Sequence, residues 1–112
     1  GVRLLSPRTV AYMASNHLPD GRDLNDMGQE GFAETAMEGM GFGLGFSVNL
    51  SPQQNRAMAS VGEYGWGGAA STAFRIDPAE ELHFVFLTQL LPSSTYPIRR
   101  ELQATIYQAL VG

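Results

Sequence analysis

The chain has no cysteine and no lysine, only two histidines and one tryptophan, and charged residues make up 16% of its 112 positions. The absence of cysteine excludes disulfides, thiolate metal sites and cysteine nucleophiles. The absence of lysine excludes a Ser-x-x-Lys nucleophile motif within these residues. No apolar run approaches the about 18 residues needed to cross a bilayer, and the first seven residues lack the plan of a signal peptide. The seven basic residues are all arginines, are outnumbered by eleven acids for a net charge of -4, and form no stripe that could follow phosphates. Neither nucleic acid nor a membrane is therefore expected as a partner. The adjacent pair Arg99-Arg100, beside Glu101, reads as the solvated face of a helix.

A hydrophobic content of 44% is that of a globular protein, and the length suits one domain, residues 1–112. Ser6-Pro7 opens a helix over residues 8–17, because Ser caps free N–H groups and Pro is tolerated in the first turn. Residues 20–38 are acidic and rich in Gly and Asn, with Leu24, Met27, Phe32 and Met37 as anchors. They read as a long ordered loop, which compact domains keep mainly for a site or an interface. Phe42, Leu44, Phe46, Val48 and Leu50 alternate with small or polar residues, which predicts one strand with a buried face. Residues 51–56 read as a hairpin connection, and residues 57–64 as a returning strand. Thr72, Phe74 and Ile76, the turn at Asp77-Pro78 and the apolar run 82–89 predict a hairpin containing a central strand. Pro97 then opens a helix whose Ile98, Leu102, Ile106 and Leu110 form a stripe able to cover a sheet. The sum is an α+β fold, an antiparallel sheet covered by N- and C-terminal helices.

Neither Gly-x-Ser-x-Gly nor His-Glu-x-x-His occurs. His17 reads as a helix-end residue and His83 as a strand-face residue; their separation does not suit a metal, and neither a metal nor a cofactor is expected. The glycines of residues 39–45 interleave with a strand pattern, so a phosphate loop is not expected. Asp20, Asp23 and Asp26 lack the alternation and closing Glu of a calcium loop. What remains is Trp66-Gly67-Gly68, preceded by Tyr64-Gly65 and followed by Ala69. A bulky aromatic and two glycines beside a β-prone run suit a place where a substrate approaches a strand backbone closely.

Taken in order, Leu5-Ser6-Pro7-Arg8-Thr9-Val10, Gly41-Phe42-Gly43-Leu44-Gly45-Phe46, Tyr64-Gly65-Trp66-Gly67-Gly68-Ala69, Ile76-Asp77-Pro78, Phe84-Val85-Phe86-Leu87-Thr88-Gln89 and the closing helix resemble the last third of a class C-related serine β-lactamase or penicillin-binding-protein-like hydrolase, including the family VIII carboxylesterases. The resemblance implies the C-terminal portion of a β-lactamase/transpeptidase-like fold, with the Ser-x-x-Lys nucleophile and the Tyr-x-Asn base upstream of Gly1. It implies that Trp66-Gly67-Gly68 stands where relatives carry Lys-Thr-Gly or His-Thr-Gly. The Ala69 N–H would then be an oxyanion-hole donor, and Trp66, Gly67, Gly68 and Tyr64 would bind substrate. Replacing Lys by Trp removes a cation that would grip a carboxylate, which favours uncharged acyl esters. The chain alone would be inactive, with an N-terminal catalytic segment, a companion chain or self-association as its partner. The alternatives are a non-catalytic binding or assembly module, and a β-lactamase or D-alanyl-D-alanine peptidase.

Overall fold

The computed structural model describes residues 1–27, 37–93 and 95–111. Its centre is a five-stranded antiparallel sheet in which sequence neighbours are also spatial neighbours: β1 (Met40–Phe42), β2 (Ser47–Asn49), β3 (Tyr64–Gly67), β4 (Ala73–Asp77) and β5 (Leu82–Phe86). Among the described residues four α-helices accompany it, α1 (Pro7–Met13), α2 (Leu24–Met27), α3 (Pro52–Asn55) and α4 (Ile98–Gln108), with one 3-10 turn at Pro19–Gly21; α2 lies within residues 20–38, which were expected as a loop. The α+β class and the antiparallel sheet agree with the sequence reading. None of these helices is long and apolar enough to cross a membrane.

Helix α1 starts as expected, with the Ser6 side chain accepting from the Thr9 N–H and Pro7 at the first position. It stops at Met13, four residues short of the expected end. The Met13 carbonyl accepts instead from Leu44 N–H, and His17 N–H donates to the Phe42 carbonyl. Hydrogen bonds to the edge of the sheet thus replace the last turn of the helix. Asn16 completes the junction by accepting from Phe42 N–H and Leu18 N–H. A Cβ on Gly41 would strike the Asn16 side chain, so that glycine is needed where the two segments meet. Helix α1 itself buries no residue; it flanks the sheet rather than covering it.

The alternating run 42–50 is not one strand. It is the tight hairpin of β1 and β2, reversed over residues 43–46, with Gly43 N–H donating to Phe46 C=O and Gly45 at φ +105°. Alternation survives on both sides of the turn, so the period of two could not reveal the reversal. Residues 52–55, expected as a plain connection, form the short helix α3 capped by the Ser51 hydroxyl. The returning strand begins only at Tyr64. The β4–β5 hairpin forms as expected, with β4, paired on both sides, as its central strand and β5 the last strand of this sheet. In the acidic loop, the Asp23 carboxylate accepts from Asp26 N–H and Gly39 N–H, and the Gly39 bond above all lowers its pKa. Of the four expected anchors, Leu24 and Met37 are half-buried, Met27 is 41% exposed, and Phe32 lies outside the described residues.

Register fixes the two faces. Tyr64, Ile76 and His83 are partners across three strands, as are Trp66, Phe74 and Val85, and both rows share one face. Gly65, Arg75 and Phe84 share the other, on which α4 lies. The apolar side chains that are fully buried are few: Met40, Val48, Tyr64 and Ala73. The largest side chains below 2% exposure are instead Glu63, Asn49, Asp77 and Ser71.

Candidate functional site

Strand β3 brings Trp66 and Gly67 to the end of the sheet nearest the turn at residues 68–72. Together with Gly68, Thr72, Ala73, Phe74, Val85, Phe86 and Leu87 they line an open, mainly apolar groove of about 370 Å³. The Trp66 indole is 43% exposed and packs edge-on against Phe42, ring centroids 5.4 Å apart. The groove opens toward β5, where Val85 is 66% exposed and Leu87, just beyond the strand, 79%. Tyr64, also expected to bind substrate, is buried against Phe46 at 5.1 Å and does not line the groove.

Ala69 follows Gly68 in the exposed part of the turn. The carbonyls around it are occupied. Gly68 C=O accepts from Ser71 N–H, Ala70 C=O from Leu90 N–H, and Thr72 C=O from Gly68 N–H. Ser71 is fully buried at φ +70°, and its hydroxyl donates to Leu90 C=O at 2.7 Å. Among the described residues no acceptor meets the N–H of Ala69 or of Ala70. The turn therefore presents donors outward and keeps these three acceptors inward.

The glycines are explained from within the chain. A Cβ on Gly67 would lie 2.6 Å from the Arg99 guanidinium carbon, and one on Gly68 would lie 2.6 Å from Thr72 Oγ1. Arg99, read from sequence as solvated, reaches from α4 across the sheet end. Its Nη2 donates to Gly68 C=O at 2.5 Å and to Thr72 C=O at 2.8 Å, and its Nε to Thr72 C=O at 3.2 Å. A cation thus stands beside Gly67 and Gly68 although the motif itself carries none.

Below Arg99 on the same helix row, Gln103 and Tyr107 meet a buried polar cluster that the sequence did not signal. Glu63 Oε1 lies 3.1 Å from Arg75 Nε, Gln103 donates to Glu63 Oε2 at 2.7 Å, and the Tyr107 hydroxyl lies 3.2 Å from Glu63 Oε2 and 2.5 Å from Asp77 Oδ2. Burial pushes the Glu63 pKa up to about 7, outweighing the attraction of Arg75. Burial acts against the Asp77 carboxylate too, but hydrogen bonds from Tyr107 and Ser60 overcome it and hold the pKa below the ordinary value. Burial, and then the bond to Asp77, drives the Tyr107 phenol well above its ordinary pKa. The phenol has one proton to give. The shorter contact, to Asp77, takes it. Asn49, 1% exposed, finds no partner for either side-chain polar atom among the described residues.

His17 folds back so that Nε2 lies 2.7 Å from Tyr12 C=O, near the end of α1, and His83 is exposed on β5. Among the described residues no group of three or more His, Asp or Glu side chains converges as a metal site.

No protein-family model matches the chain. Over 95 residues, 82% of its length, it is 33% identical to "Uncharacterized protein MT1414" and to "Protein Rv1367c", from two strains of Mycobacterium tuberculosis. The matched stretch is 23% of each relative. The chain therefore spans about a quarter of the length of the curated relatives it matches.

Proposed function

We propose that the chain is the C-terminal portion of a β-lactamase-related serine hydrolase, an esterase acting on uncharged acyl esters. The observation that carries this reading is the Ala69 N–H, exposed and unpartnered among the described residues, one residue beyond a Trp-Gly-Gly segment that lines an apolar groove. In the proposed reaction a serine hydroxyl from an upstream segment attacks the ester carbonyl, losing its proton to a base on that segment. The carbonyl oxygen becomes an oxyanion that accepts from Ala69. Its collapse expels the alcohol, which takes up the proton, and water then hydrolyses the acyl-serine. Trp66 supplies an apolar wall for the acyl or alcohol part.

The companion segment is proposed to belong to the same protein and to cover the open face of β3–β5. The chain's share of its relatives' length leaves ample sequence for it. The test is to join or mix the 112-residue chain with the segment carrying Ser-x-x-Lys and to follow p-nitrophenyl butyrate. Turnover is expected. Ala69→Pro, which removes the N–H, should lower kcat by about 10²–10³-fold while KM changes little. A formed complex without ester turnover refutes the esterase and favours a non-catalytic binding module.

One observation favours a second reading. The Arg99 guanidinium puts a cation beside Gly67 and Gly68, on the α4 face and outside the groove that Trp66 lines, and a β-lactamase or peptidase would use a cation near this segment to grip a substrate carboxylate. Two of its three nitrogens are already committed to carbonyls, so the ester reading stands first. Faster turnover of a chromogenic cephalosporin than of the ester would reverse that order.

A further inference from the structure

We propose that Arg99 is a positioning residue, locking the turn of residues 68–72 so that the Ala69 N–H is held outward to meet an oxyanion. The catalytic half of this inference rests on the hydrolase reading above; the lock stands on geometry alone.

Three observations combine. First, the guanidinium bridges the two ends of the turn, Gly68 C=O and Thr72 C=O, in a fork that no single-point donor reproduces. Second, the guanidinium lies where a Cβ on Gly67 would be, so the glycine of β3 makes the room that the arginine occupies. Third, the opposite side of the turn is held by Leu90, through Ala70 C=O and the Ser71 hydroxyl. Ser71 adopts a left-handed backbone that a non-glycine residue keeps only when its surroundings hold it there. Arg99 and Leu90 thus grip the turn from both sides, and between them lie Ala69 and Ala70, whose N–H groups meet no acceptor among the described residues.

The charge adds to the geometry. Arg99 forms no ion pair among the described residues; it is bonded to neutral carbonyls only. Its bond to Gly68 C=O, in the same peptide unit as the Ala69 N–H, therefore polarises that N–H toward a bound acyl oxygen.

The test uses amide hydrogen exchange of the full 112-residue chain and kinetics of the same chain complemented with the serine-bearing segment. Arg99→Ala should speed exchange at Gly68 and Ser71 by about ten- to a hundredfold, the worth of hydrogen bonds to a charged group, leaving Ile76 in β4 unchanged. Arg99→Lys keeps the charge but not the fork, and exchange should stay fast. Added guanidinium ion, well below denaturing concentrations, should slow it again in Arg99→Ala and restore kcat, with KM nearly constant throughout. Unchanged turn amides in both variants overturn the lock. Loosened amides with an undiminished kcat overturn the positioning role. If the unsubstituted assembly turns over no ester while the amides respond, the hydrolase reading falls and the lock survives.

Discussion

At Gly67 a single missing methyl decides what two distant segments can do. The Arg99 guanidinium occupies the space a Cβ would need, and because it is the far end of a flexible side chain, Gly67→Ala should displace the arginine without unfolding the strand. The expected cost is about 1.5–3 kcal/mol, that of hydrogen bonds to a charged group, measured by urea unfolding. The two changes should not add: in the double variant Gly67→Ala, Arg99→Ala the alanine at 67 should cost almost nothing more. Additive losses would mean that the glycine serves something other than the arginine. Trp66-Gly67-Gly68 was legible in the sequence, because an aromatic followed by two glycines is unusual inside a β-prone run. Arg99 was not. It meets Gly68 across 31 positions of sequence, and an arginine next to another arginine on a helix carries no mark that distinguishes a clamp from a solvated charge.

At the scale of elements, periodicity located most segments and misjudged how they meet. Of the expected stripe, Ile98, Leu102 and Ile106 lie in α4 while Leu110 falls beyond its end and is 38% exposed, and the hydrogen bonds that seat the helix come from the neighbouring row Arg99, Gln103 and Tyr107. A row of polar residues gives no hydrophobic signal, so its role emerges only from what lies opposite. That seat gives the fold a pH dependence whose sign is set by Glu63. Its folded pKa of about 7 exceeds the ordinary 4.5, so the folded state binds the extra proton and the unfolded state does not. The stabilising proton is fully present below about pH 4.5 and is lost as pH rises through about 7. Stability should therefore fall between those limits, by on the order of 1–3 kcal/mol. Asp77, with its lowered pKa, acts in the opposite direction only as pH drops below the ordinary carboxylate range. Urea midpoints at pH 5 and pH 7.5 should differ in the parent and converge in Glu63→Gln. A midpoint that rises toward pH 7.5 in the parent would instead mean that Arg75 keeps Glu63 ionised.

For the whole molecule the burial pattern is inverted. The side chains most completely shielded are polar, while Trp66, Val85 and Leu87 stand open on the opposite face. A domain of this size that folded for its own sake would bury those apolar groups, because each fully covered one contributes about 1.5–3 kcal/mol. Strand β5 ends the sheet with its outer backbone edge unpaired among the described residues, and such edges are ordinarily covered or paired. Both features fit the proposal that a further segment of the same protein completes the sheet. Hydrogen exchange separates the cases. In the 112-residue chain the amides of Leu82–Phe86 that face outward should exchange quickly, and in the longer protein they should be protected. Val85→Lys, on the exposed face, should leave the secondary structure of the short chain intact by circular dichroism yet weaken its complex with the upstream segment. Equal protection of β5 in both forms, together with an unweakened complex, would show that the sheet ends at β5 and that the open face serves no such partner.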